Sequence, residues 1–160
     1  MNSLVAYYSE FGNTARIAEA IGATLEAAGP TCVVDLKRLR VSELRQLDLL
    51  VVGVPTHRMN VPEVARALLR AIPRRTLTKG TAIAAFDTSY DVSRWLRRFT
   101  ASHKLLSRLR RLGGRRVIPP ETFLVTGKEG PLYEGEIDRA RTWASEILAR
   151  LGQRQSGIHA

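Results

Sequence analysis

The chain is predicted to form an open, doubly wound α/β sheet of five parallel strands, and three observations predict it. Five strand-sized apolar runs alternate with helical patterns along the 160 residues. Most of those runs are continuous rather than alternating, as strands must be when helices cover both faces of a sheet. The helical patterns end at breakers, Gly29-Pro30, Pro73 and Gly113-Gly114, which fit short connections and right-handed crossovers.

The strand runs are Leu4–Tyr8, Cys32–Leu36, Asp48–Val54, Thr81–Asp87 and Arg116–Val125. Pro119-Pro120 interrupts the last, which suits an edge strand, because proline cannot donate to a ladder. The first helix carries Ile17, Ala20, Ile21, Leu25 and Ala28 on one face. Val64, Ala67, Leu68 and Ile72 are the expected face of the second helix, and Leu105, Leu106, Leu109 and Leu112 that of the third. The third is expected to close with a glycine C-cap at Gly113-Gly114. A turn around Ser42–Gln46 bridges the second and third strands. Ile137, Ala140, Trp143, Ala144, Ile147, Leu148 and Leu151 line the last helix, with Trp143 in the core. One domain over residues 1–152 is expected, with a frayed tail at 153–160. Neither repeats nor low-complexity segments interrupt it.

Composition narrows the function classes. No apolar run approaches the about 18 residues of a membrane helix, and the N-terminus has no signal-peptide pattern, so a cytoplasmic protein is expected. Cys32 is the single cysteine, which excludes an internal disulfide and a cysteine-rich metal site; its apolar run predicts a buried thiol. The histidines His57, His103 and His159 lack ligand spacing, so no metal site is expected. No G-x-S-x-G elbow is present.

Net charge is +10, and the excess concentrates between Arg94 and Arg116, a stretch without one acidic residue. This is either the solvated side of an amphipathic helix or a docking face for an acidic partner. A nucleic-acid role is disfavoured, because the stretch lacks interleaved aromatics and any helix-turn-helix or RNP motif.

In a parallel sheet, ligands bind beyond the carboxyl ends of the strands, so the loops after Tyr8, Val54 and Asp87 are the candidate site. The first reads Ser9-Glu10-Phe11-Gly12-Asn13-Thr14. Taken alone it is either a helix entry capped by Asn13 or a phosphate cradle of backbone N–H groups at a helix N-terminus. Neither the triphosphate-binding G-x-x-x-x-G-K-[ST] nor G-x-G-x-x-G occurs in it.

The run VAYYSEFGNTARIAEAI resembles the first strand, phosphate loop and first helix of flavodoxin-like proteins, whose loop reads [ST]-x-x-G-N-T. The resemblance continues through Asp48–Glu63, Ala84–Tyr90 and Pro119–Leu148, and so spans nearly the whole chain. It implies strand order 2-1-3-4-5 and noncovalent binding of flavin mononucleotide (FMN). Carried over, Ser9, Phe11, Gly12, Asn13 and Thr14 hold the FMN phosphate, with Glu10 at a variable position turned to solvent. Pro55, Thr56, His57, Arg58, Met59 and Asn60 lie along the flavin ring, and Asp87, Thr88, Ser89 and Tyr90 on its other side.

Individual roles stay open between a flavin contact and a plain structural one. His57 is a donor to the ring or an unpartnered surface histidine, and Arg58 a substrate contact or a solvated charge. Met59 packs the loop or touches the flavin. Tyr90 stacks on the ring or is an ordinary helix-entry aromatic, and Asp87 caps a turn or lines the site. Trp95 fits an apolar helix face. The GPLYEG loop beside Glu129 and around Glu134 is read as structural.

The chain departs from typical flavodoxins in being basic rather than acidic, and in having no glycine between Pro55 and Pro62. The expected function is electron transfer through FMN, with a redox partner protein or NAD(P)H at the other end. Carrier and NAD(P)H-dependent reductase both fit, so enzymatic activity is left open. An FMN-free interaction module on the same fold is the third reading. The acidic pair and phosphorylatable aspartate of a receiver domain are absent, with Tyr7-Tyr8-Ser9 and Pro55-Thr56 in their places.

Overall fold

The structure, a computed structural model, describes residues 1–56, 60–78, 80–90 and 101–156. Strands β1 (Ser3–Tyr7), β2 (Thr31–Asp35), β3 (Leu49–Pro55), β4 (Ala82–Tyr90), β5 (Arg115–Arg116) and β6 (Glu121–Val125) alternate with helices α1 (Asn13–Leu25), α2 (Glu63–Ala71), α3 (Ala101–Arg111) and α4 (Glu136–Ser156). All strand pairings are parallel, in the order β2-β1-β3-β4-β5, with β6 also on β4. The expected order 2-1-3-4-5 therefore holds. The fifth strand comes in two pieces along the edge of β4, because Pro119-Pro120 cannot donate to the ladder between them.

Successive side chains of a strand point to opposite faces, and both faces here are covered. Leu4, Ala6, Leu50, Val52, Ile83 and Ala85 pack under α2 and α3. Val5, Leu49, Val51, Ala82, Ala84 and Phe86 pack under α1 and α4. This is why the runs are apolar without alternation. In the second layer Phe86, Phe123 and Trp143 meet edge to face, with ring centroids 5.8–6.3 Å apart. Trp143 is in the core, as expected.

The helical faces of α3 and α4 follow the sequence pattern, as does that of α1 except for Ala28, which lies past Leu25 in an exposed 3₁₀ turn; Gly113 closes α3 at φ 106°. The face of α2 is rotated from expectation. Ala65, Leu69 and Ile72 are buried, whereas Val64 is 48% exposed and Ala67 is also outside. The i, i+4, i+7 row starting at Ala65 is the one that meets β3 and α3 in the shared cluster. Cys32 is exposed, not buried: β2 is the edge strand, and its Val33 side, not its Cys32 side, meets α1 at Gly22. The expected turn near Ser42 is a 3₁₀ segment, Val41–Leu44. Helix α4 runs past Gly152 to Ser156.

The two ends of the chain's last unit are tied together by one ionic cluster. The Glu136 carboxylate accepts the Leu124 N–H at 2.7 Å and pairs with Arg139 at 2.6 Å. Arg139 also reaches Glu121 at 3.2 Å and lies over the Phe123 ring. The N-terminus of α4 is thereby fastened to β6, with an acidic residue where the helix dipole favours one.

Candidate functional site

The carboxyl ends of β1, β3, β4 and β6 open into one cleft of about 470 Å³, a size that suits a small-molecule ligand. Ser9, Glu10, Phe11, Asn13 and Thr14 form one wall, Pro55 and Thr56 another, and Thr88, Ser89 and Tyr90 a third. The three separated sequence segments thus converge, as the parallel topology requires.

The first wall is shaped by Gly12. Its φ of 85° is left-handed, a conformation glycine adopts without strain, and it precedes the first residue of α1. Its N–H donates to the Ser9 hydroxyl at 3.0 Å, folding the loop back on itself. The cap of α1 is therefore Gly12 and not Asn13. The first N–H groups of a helix have no intrahelical acceptor, and the helix ladder here starts with the Arg16 N–H on the Gly12 carbonyl. Gly12 brings no side chain to cap them, and among the described residues no other hydrogen bond to them is present. The N–H groups of Asn13, Thr14 and Ala15 thus form an anion-receptive turn, with open space beside Gly12 where a β-carbon would stand.

Asn13 and Thr14 lock this turn to other elements. Asn13 donates through Nδ2 to the Glu129 carbonyl at 2.9 Å, and Gly130 has no β-carbon to collide with it. Thr14 is buried with its hydroxyl 2.7 Å from that of Thr88. Glu10 is exposed at the rim, where its carboxylate accepts the Tyr8 hydroxyl at 3.2 Å. Burial, and then the Glu10 charge and hydrogen bond, push the Tyr8 phenol above the ordinary tyrosine range.

The third wall differs from a loop. β4 continues to Tyr90 because β6 pairs with it from Phe86↔Glu121 to Tyr90↔Val125, so Asp87, Thr88, Ser89 and Tyr90 are strand residues. Asp87 is fully buried within β4. Its carboxylate accepts the hydroxyls of Thr56 and, at 2.7 Å, Thr122. It is the hub that fixes the β3 and β6 ends relative to β4. Thr56 also accepts the Ala101 N–H at 3.1 Å, which joins the start of α3 to the same hub. Tyr90, 43% exposed, and Phe11, 45% exposed, stand on different walls of the cleft.

Asn60 does not line this cleft; it lies between α2 and α3 and accepts Lys104 Nζ at 3.2 Å. His57, Arg58, Met59 and Trp95 lie outside the described residues. Val125 and Lys128, at the end of β6 and just beyond it, line the cleft and were missed. Their place past the carboxyl end of the fifth strand is the sequence signal that points to them. The GPLYEG loop pairs back on β6 through Leu132 and Tyr133, which agrees with a structural role. Among the described residues no cluster of His, Cys, Asp and Glu could hold a metal ion, and no helix is long and apolar enough to cross a membrane.

The model of the Flavodoxin family matches residues 5–143. No curated protein matches the chain significantly. Among solved structures, a flavodoxin from the domain Archaea superposes with a TM-score of 0.75 at 18% identity, covering 95% of this chain and 99% of that one. The oxidised flavodoxin 2 of Bacillus cereus gives 0.75 at 20% identity, with 94% and 99% covered. The rubredoxin:oxygen oxidoreductase of Desulfovibrio gigas gives 0.71 at 17% identity, covering 94% of this chain but 37% of that larger one. At these identities the superpositions show the shared fold.

Proposed function

Because the chain belongs to the flavodoxin family, we propose that it is an electron-transfer protein that binds FMN noncovalently in the cleft at the carboxyl edge of the sheet. The observation that carries this reading is the N-terminal turn of α1. It offers N–H donors with no acceptor among the described residues and open space beside Gly12, at one end of a cleft large enough for a ring system. Those features fit a phosphate ester, so the residues present suit the cofactor.

In this reading Ser9, Phe11, Gly12, Asn13 and Thr14 hold the phosphate, and Lys128 adds a cation at the rim. Glu10 is kept from the phosphate by its bond to Tyr8. Pro55, Thr56, Thr88, Ser89 and Tyr90 border the ring, with Tyr90 the aromatic best placed to stack on it. We assign His57, Arg58 and Met59, in the segment beyond Pro55, to the ring's accessible edge; Asn60, whose side chain accepts Lys104, is not part of it. Asp87 makes no direct contact and positions Thr56. When bound, the flavin supplies the one- and two-electron chemistry; the protein sets its orientation, charge environment and access.

The donor or acceptor is a redox partner protein or NAD(P)H, and the chain's positive surface favours an acidic partner by electrostatic steering. Of the basic stretch, Lys104, Arg108, Arg110, Arg111, Arg115 and Arg116 are placed by the structure, while Arg94, Arg97 and Arg98 lie outside the described residues. A cytoplasmic setting is the natural one for such a carrier.

The absorption spectrum of the purified protein tests the reading. Flavin bands, present as isolated or regained on adding FMN, are the expected outcome, and their absence after FMN addition overturns it. Mixing the flavin-loaded protein separately with NADH and NADPH then divides carrier from reductase: rapid bleaching by either identifies a reductase.

A further inference from the structure

A second cleft, of about 350 Å³, lies between α2 and α3, away from the cleft described above. Arg66 and Arg70 line it from α2, and Lys104, Arg108 and Arg111 from α3. The cations come in two facing rows because each helix presents them at helical spacing: i and i+4 on α2, and i, i+4 and i+7 on α3. At 1.5 Å rise per residue the longer row extends over about 10 Å. The two helices contribute a single carboxylate, Glu63, which pairs with Arg66 at the start of α2. Helix α3 has no acidic residue.

The arginines are held rather than loose. Arg108 donates through Nη2 to the Leu69 and Arg70 carbonyls at 3.1 and 3.2 Å, which caps the end of α2 and fixes the guanidinium plane. The Nε atoms of Arg66 and Arg108 are nevertheless buried without a hydrogen-bond partner. An oxyanion entering between the rows meets the exposed N–H groups of Arg70, Lys104 and Arg111, which offer it charge-assisted bonds. A single phosphate is shorter than the rows, and a flat macromolecular surface does not enter a cleft between two helices.

We propose that the α2–α3 cleft is a second anion site, built for a diphosphate group or a longer phosphate chain. It stands independently of flavin binding, since none of its residues lines the first cleft.

The test is calorimetric titration of the purified full-length protein, saturated with FMN, using inorganic pyrophosphate and adenosine diphosphate at physiological salt. One-site binding of pyrophosphate is expected. The double variant Arg66→Gln/Arg70→Gln is expected to weaken it at least about tenfold, since two charge-assisted contacts are lost. It should leave the thermal midpoint nearly unchanged, because the α2-capping Arg108 is intact. Arg111→Gln serves as a second cleft variant. Arg150→Gln, which removes the same unit charge on α4, is expected to change affinity by less than about twofold. Tighter binding of adenosine diphosphate than of pyrophosphate assigns the group to a nucleotide, and the reverse order assigns it to a free phosphate chain. Absence of pyrophosphate binding, or equal weakening by Arg150→Gln, overturns the proposal. If Thr14→Ala weakens pyrophosphate binding while the cleft variants do not, the anion sits at the α1 turn and the proposal also fails.

Discussion

The hydroxyls of Thr14 and Thr88 lie 2.7 Å apart, both buried, one at the start of α1 and the other in the middle of the β4 end. This bond couples the anion-receptive turn to the strand that walls the opposite side of the cleft. Thr14→Val keeps the side-chain shape but strands the Thr88 hydroxyl. It is expected to cost about 1–3 kcal/mol in chemical denaturation, and Thr14→Val/Thr88→Val is expected to recover part of that loss. Thr14→Ala is expected to weaken FMN as measured by fluorescence titration; unchanged affinity would show that this hydroxyl does not serve the phosphate.

Asp87 carries more structural weight than its place just after the apolar run of β4 suggests. Asp87→Ala removes the carboxylate that accepts the hydroxyls of part-buried Thr56 and buried Thr122. A loss of about 3 kcal/mol is expected, with Asp87→Asn costing less because one acceptor oxygen remains. Denaturation midpoints at constant m-value check both.

Glu10 sits at the rim of a turn that favours anions. Glu10→Gln removes like-charge repulsion and is expected to tighten FMN binding about two- to fivefold at low salt, with a smaller gain at high salt. A variant that binds FMN more weakly would show that the carboxylate serves the site.

The same substitution has a spectroscopic readout at Tyr8. Burial raises the phenol first, then the Glu10 charge and hydrogen bond, then Asp35. Because the folded-state value is raised, the neutral phenol is favoured by the fold. That contribution is complete below the ordinary tyrosine value of about 10 and is lost as pH rises through the folded value. Glu10→Gln is expected to move the Tyr8 phenolate absorbance change to lower pH.

Gly53 in β3 lies against the Phe86 ring, and a β-carbon there overlaps the ring. Gly53→Ala is expected to displace Phe86 from its contacts with Phe123 and Trp143. The cost is about 1–3 kcal/mol by thermal or chemical denaturation. Stability equal to the parent would mean that the aromatic cluster repacks freely.

Much of the site was legible before folding. The Gly12-Asn13-Thr14 turn follows a strand and opens a helix, and both are local features. Pro55-Thr56 and Asp87-Thr88 end continuous apolar runs, which mark the same edge of the sheet. Less legible were residues whose role depends on a distant partner. Lys128 and Val125 join the cleft because the fifth strand ends beside β4. Asn60 looked like part of the ring-facing segment, yet its side chain turns to Lys104.

The sequence by itself determined the alternation of strands and helices, the break in the edge strand and the location of the candidate site. Each rests on local chemistry: apolar continuity under two covering layers, proline without an N–H, and glycine at positive φ. Tertiary structure alone decided that Asp87–Tyr90 is strand, since pairing with β6 supplies its hydrogen bonds from over thirty residues away. It also turned α2 so that Ala65 and Leu69 face inward. The cations of α2 and α3 face one another for the same reason: crossovers on one face of a parallel sheet set two helices side by side, whatever their separation along the chain.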